Sequence, residues 1–233
     1  MFIKNIIKVS VGVSLVALLV GCGGGSGDGI GSIDLADYMP AESMSKTYDN
    51  YEKWSDEDER NSTSVEDVTV TEIDGNRVIT IMSGAHEISK NVISDNNITS
   101  KRGRIDIATD RYVDLGDMYY DYTTTIHIDD TDANLSYQCT LEEHLNNFSI
   151  HEHSYSGDIY KSKCTMSLHD LHIDGTTYNS YYITYVYAKK DIGLIAEIGK
   201  HCYPYEGLEI TYDRDLDSCP ADKKAYSYKL LRE

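Results

Sequence analysis

The stretch DIYKSKCTMSLHDLHIDGTTYNSYYITYVYAKKDIGLIAEI, residues 158–198, decides the fold. Thr, Ile, Val and Tyr dominate its apolar positions, the composition of half-buried strands. Residues 158–173 read as a strand. Asp174-Gly175 is a tight hairpin turn. Residues 178–188 return, and 193–198 follow as the next strand. Tyr181, Ile183, Tyr185 and Tyr187 form a period-two stripe on one face of the returning strand. Tyrosine has an apolar body and a polar tip, which suits a half-buried sheet face. The alternative is an aromatic platform for a sugar or peptide.

The same grammar extends in both directions. Upstream, 33–54 is a lead-in segment with a turn at Asp37-Tyr38-Met39-Pro40, and 52–61 is a charged loop. Residues 67–73, the turn Asp74-Gly75-Asn76 and residues 78–82 make a hairpin. Strands are expected at 86–93, 104–108, 111–115, 118–128, 135–140 and 148–155, and downstream at 208–212 and 225–231. One short helix is expected among them. Thr140-Leu141-Glu142-Glu143 matches a capping box, and Leu141, Leu145 and Phe148 have helical spacing. The whole predicts an all-β, mainly antiparallel domain.

The N-terminus has a different character. Lys4 and Lys8 precede an apolar run, 9–20, that is twelve residues long. A bilayer span takes about 20, so the run fits an export signal over residues 1–21 rather than a permanent helix. It ends in Leu19-Val20-Gly21-Cys22, which resembles the lipobox cut by lipoprotein signal peptidase. That resemblance implies lipid on Cys22, a partner membrane reached through it, and a place in the bacterial cell envelope. Residues 22–32, opening Gly23-Gly24-Gly25-Ser26-Gly27-Asp28-Gly29, form a tether without side chains to pack. Residues 33–233 form a single extracytoplasmic domain. The residue after the cysteine is Gly23 rather than Asp, which by resemblance to enterobacterial sorting favours the outer membrane.

The chain carries 21 basic and 39 acidic residues, and loss of Lys4 and Lys8 takes the net charge from −18 to −20. Such a surface repels nucleic acid, so no nucleic-acid partner is expected. With Cys22 set aside, Cys139, Cys164, Cys202 and Cys219 remain. An even number in an oxidising compartment predicts two disulfides. Three pairings exist; Cys139–Cys164 and Cys202–Cys219 each close a local loop and are favoured. No Cys-x-x-Cys spacing supports a zinc site.

The C-terminal third has a recognisable pattern: Tyr155-Ser156-Gly157-Asp158-Ile159, then Lys163-Cys164, Tyr181-Tyr182, and Tyr187-Ala188-Lys189-Lys190-Asp191-Ile192-Gly193-Leu194-Ile195. It resembles a group of exported bacterial β proteins, many of them lipoproteins, and covers about 75 residues. The resemblance implies a curved antiparallel sheet, similar to the half-barrel of lipoprotein-carrier proteins. Asp191 stands where that group has glycine, and Lys190 is extra. The group's pattern carries no catalytic residue.

Candidate chemistry is sparse. His151-Glu152-His153 in a strand puts both imidazoles on one face, with His169 or His172 as a third metal ligand; the alternative is a polar strand facing solvent. Asp213, Asp215 and Asp217, and likewise Asp130, Asp132 and Asn134, echo the start of a calcium loop, but both lack its glycine and its closing glutamate. No Gly-x-Ser-x-Gly, His-Glu-x-x-His or phosphate loop is present. No enzyme and no cofactor is expected, calcium being the one ion that the acidic loops suggest. The leading expectation is a membrane-anchored envelope lipoprotein with a non-enzymatic binding or structural role. The alternatives are a carrier or sensor of an apolar, lipid-like ligand in a half-barrel, and a calcium-stabilised binding module.

Overall fold

The computed structural model describes residues 35–54, 58–94, 97–106, 111–117, 121–128, 131–173, 176–205 and 219–233. The strands are β1 Met44–Trp54, β2 Arg60–Ile73, β3 Asn76–Ser83, β4 His86–Ser94, β5 Asn97–Asp106, β6 Arg111–Asp117, β7 Asp121–Ile128, β8 Thr131–Ile150, β9 His153–Ile173, β10 Thr176–Lys189, β11 Gly193–Tyr205 and β12 Lys224–Leu231. All belong to one antiparallel sheet, in the order β6-β5-β4-β3-β2-β1-β12-β11-β10-β9-β8-β7. Among the described residues the only helical segments are two 3₁₀ turns, Leu35–Tyr38 and Ala221–Lys223.

The topology forces the sheet to roll. Its two free edges, β6 and β7, are neighbours in sequence. Asp117 and Asp121 are four Cα steps apart, a reach of at most about 15 Å. A flat sheet of this order would separate its edges by about 50 Å. The first and last strands pair, with Tyr48 opposite Leu231 and Trp54 opposite Ala225. The result is an up-and-down meander, closed everywhere except at the β6/β7 seam. The curved antiparallel sheet expected from the sequence is therefore present.

Two expectations need correction. No helix forms at 140–148, which lies inside the 20-residue strand β8. A capping box satisfies one or two terminal N–H groups, whereas β9 pairs with β8 from Asn134 to Ile150. Two register shifts, at Leu141/Glu143 and Leu145/Asn147, interrupt the alternation of β8 and imitate a helical period. The lead-in segment also contains β1. Its polar residues hid it, because Lys46 and Asn50 share a face with Tyr48 rather than standing opposite it.

On β1–β4 the buried residues lie mainly on one face, the concave one, with Val78 of β3 buried on the other. The concave face carries Lys46, Tyr48, Glu66, Val68, Ile79, Ile81, Asn91 and Ile93. On β10–β12 the outer face is buried as well. Near one end, Cys219 covers Tyr181 and Ile183. Near the other, the β8–β9 hairpin folds over the outside: Phe148 stacks on Tyr187 at 3.9 Å, and the Tyr155 hydroxyl donates to Leu231 O at 2.9 Å.

The segment before β1 caps one end. Asp191 N donates to Asp37 O, Ala41 N donates to Asp191 O, and the Tyr38 hydroxyl donates to Asp158 Oδ1 at 2.7 Å. Arg77 of β3 reaches across to Ala36 O. The cap is seated over Gly193, whose φ is +79° and where a Cβ would lie 2.8 Å from Pro40 Cδ. Gly193→Ala is therefore expected to destabilise the domain by about 2–4 kcal/mol, from left-handed strain and overpacking together. Urea melts at neutral pH check this; a change below about 0.5 kcal/mol, the size of a bland surface substitution, would show that the cap does not depend on this contact.

Candidate functional site

The interior holds charge where an apolar core would be expected. Lys46 (β1) faces Glu66 (β2) across one ladder, and Lys229 (β12) faces Glu197 (β11) across another. All four are buried. The Lys229 ammonium is paired with the Glu66 carboxylate and lies 4.3 Å from the centre of the Tyr48 ring. Lys46 Nζ donates to Ile192 O at 2.6 Å and Leu194 O at 3.2 Å, tying β1 to the start of β11. The Tyr48 hydroxyl donates to the same Leu194 carbonyl at 3.3 Å. Burial lowers the Lys46 ammonium to about 8, and burial foremost raises the Tyr48 hydroxyl well above its ordinary value. Lys46, Lys229 and Tyr48 are thus each held by other groups of the protein.

A second polar pair lies between β11 and β12. His201 Nε2 and Ser227 Oγ are 2.9 Å apart, the spacing of a base and a nucleophile. They occupy the space over Gly199, where a Cβ would lie 2.4 Å from both atoms. His201 is completely buried, and burial pushes its imidazole down to about 3. Its Nδ1 has no partner, so nothing orients the ring as a third residue does in a catalytic triad. A base so weakened is a poor proton acceptor at neutral pH. The geometry is that of a buried core histidine rather than of a catalytic base.

In the His151-Glu152-His153 motif, His151 and Glu152 form the turn of the β8–β9 hairpin and His153 opens β9; His151 has φ +50°. The tip docks on β1 and β12. His151 stacks on Tyr51 at 4.7 Å and meets Tyr228 edge-on at the same separation. The Tyr51 hydroxyl donates to Glu152 Oε1 at 3.2 Å. His153 Nε2 is 3.4 Å from Asp49 Oδ2, near enough for charge attraction but without hydrogen-bond geometry. Asp49 is also gripped by the Arg232 guanidinium, which holds its carboxyl below the usual range. His169 is engaged instead with Ser167 at 3.1 Å. Among the described residues no group of three or more His, Cys, Asp or Glu could hold a metal.

Of the residues singled out by sequence, Cys202 and Cys219 are joined, with S–S 2.09 Å. Cys164 is buried and disulfide-bonded, and its register partner on β8 is Cys139. Tyr181 and Tyr187 are buried and Tyr185 half-buried, so the tyrosine stripe is part of the core. Asp132 and Asn134 lie in strand β8, not in a loop. Cys22, the signal segment and tether, and Asp213, Asp215 and Asp217 lie outside the described residues. Among the described residues no helix is long and apolar enough to cross a membrane. Sequence reasoning missed Lys46, Glu66 and Lys229. Their signal is parity, since each stands two residues before a buried apolar residue: Tyr48, Val68 and Leu231.

No family model matches the chain, and no curated protein matches its sequence. The crystal structure of a "putative lipoprotein" from Parabacteroides distasonis is similar over 84% of this chain and 97% of that one, with 9% identity and a TM-score of 0.44. A likeness this distant supports neither a fold family nor a function.

Proposed function

We propose that the chain is a bacterial envelope lipoprotein, held to a membrane by lipid on Cys22, whose β domain has a non-enzymatic binding or structural role. The lipobox and tether carry the anchoring half of this reading. The filled interior carries the other half. Tyr48, Ile79 and Ile195 are fully buried on the concave face, and the Glu66–Lys229 pair lies beside them. An acyl chain laid there would displace the protein's own core and have to pack against a buried charge pair, so a surface is better suited than a cavity to be the working part. The same observation weighs against the carrier of an apolar ligand. Gly23 after the cysteine favours the outer membrane.

Mass spectrometry of the full chain expressed in a Gram-negative host tests the anchoring. The mature N-terminus is expected at Cys22 with acyl groups attached, and Cys22→Ser is expected to remove all of them. A mature chain that starts elsewhere, or starts at Cys22 without acyl groups, would overturn the reading.

A further inference from the structure

We propose that the open seam between β6 and β7 is a strand-addition site for an extended peptide in which apolar and basic residues alternate. This deepens the binding half of the reading above and rests on it, but does not depend on the anchor. Among the described residues β6 pairs only with β5, and β7 only with β8. Each therefore presents one row of backbone groups to the seam. Free edges are ordinarily guarded by lysine, proline or a bulge. The β6 edge has such a guard, a register shift opposite Arg102/Gly103. The β7 edge, Asp-Tyr-Thr-Thr-Thr-Ile-His-Ile, holds neither lysine nor proline and pairs with β8 without a shift. An unguarded strand of this composition is a template for another strand.

The registers say what fits. Followed strand to strand from the concave Lys229 through Glu197, Val186 and Ser162 to β8, they place Tyr122 and Ile126 of β7 on the concave face. Followed from the concave Ile81 and Asn91, they place Val113 and Gly116 of β6 there too. Arg111 shares that face and stands opposite Asp106. The convex face carries Asp114 and Asp117 on β6 and Asp121 on β7. Lys101, opposite Asp117, balances one of these three carboxylates. A strand in the seam is thus matched by apolar residues on its concave side and basic ones on its convex side. Two other occupants fit less well. Pairing β6 directly with β7 from their connected ends sets Asp117 opposite Asp121, and like charges in facing positions destabilise a ladder. A second copy of the chain is itself at −18 and brings a whole sheet behind its edge. Asp117 and Asp121 are at most about 15 Å apart, which admits a strand, needing about 10 Å between two edges, but not a sheet.

Affinity and residue-resolved hydrogen exchange of the full chain test the seam with three peptides of eight residues, the length of β7. One alternates Val and Lys, one holds the same residues in two blocks, and one alternates Val and Glu. The alternating Val/Lys peptide is expected to bind several-fold more tightly than the block peptide and to slow exchange at alternate amides of 121–128, with the amides of β1–β3 unchanged. The Val/Glu peptide is expected not to bind. Asp117→Asn with Asp121→Asn is expected to weaken the Val/Lys peptide several-fold, and high salt is expected to weaken it likewise on the unaltered chain. Equal binding of the alternating and block peptides, binding of the Val/Glu peptide, or no binding by any of the three overturns the site. Amides of 121–128 that exchange no more slowly with the Val/Lys peptide bound overturn it as well. Each of these results leaves the lipid on Cys22, which mass spectrometry decides, intact.

Discussion

Glu66→Ala is expected to cost the domain about 3–5 kcal/mol, because it strands the Lys229 ammonium inside the sheet. Lys229 and Glu66 have side chains only 9% and 4% exposed, so water cannot replace the missing carboxylate. The Tyr48 ring beneath the ammonium supplies part of the lost attraction, and Glu197 across the ladder supplies more. A surface pair makes the contrast. Lys161 and Glu142, 22% and 31% exposed, are 3.1 Å apart, and Glu142→Ala is expected to cost at most about 1 kcal/mol. The double substitution Glu66→Met with Lys229→Met is expected to be near neutral, since buried pairs replaced by apolar groups of similar volume lose little. Urea melts of the three variants decide. A loss below about 1 kcal/mol for Glu66→Ala, the range of an exposed pair, would mean that the interior is wetter than its burial implies.

That charged interior explains why the fold was more legible in the sequence than the site. Hairpins announce themselves locally: Asp74 and Gly75 adopt φ +52° and +76°, the paired left-handed conformation that a two-residue turn requires. The strands around them follow from alternation of apolar residues. Alternation fails where the buried face is itself polar. Lys46, Glu66 and Lys229 break the apolar pattern although they stand in phase with Tyr48, Val68 and Leu231. It fails again at the shifts in β8, where the register slips and the period changes. The β8–β9 hairpin tip was legible as a histidine pair but not as a docked tip. Its partners Tyr51, Tyr228 and Asp49 lie about a hundred or eighty residues away in sequence. Pairings over that distance come from topology, which local pattern does not encode. The disulfide between Cys202 and Cys219 was legible because the two are only 17 apart.

Acid is expected to destabilise the domain by roughly 4–5 kcal/mol through His201 alone. The ring is neutral when folded, with its proton affinity lowered from 6.5 to about 3 by burial. Between those values the unfolded chain binds a proton that the folded one refuses. Stability from this group is therefore fully present above pH 6.5 and is lost as pH falls toward 3. Asp49 and Asp158, whose carboxyls are held low chiefly by hydrogen bonds from Arg232 and Tyr38, weaken over an overlapping acid range, so the wild-type curve alone cannot isolate the histidine. His201→Phe can. It keeps an aromatic ring against Tyr182 and removes the titration, while leaving Ser227 without its partner. At pH 7 the variant is expected to be less stable by about 1 kcal/mol, the worth of one hydrogen bond. At pH 4 it is expected to be more stable than the wild type by about 2 kcal/mol, because the wild type has by then taken the protonation penalty. The two stability curves must cross. Parallel curves between pH 7 and pH 4 would show that the imidazole titrates freely, and that the space over Gly199 admits water or a counter-ion to its unpaired Nδ1.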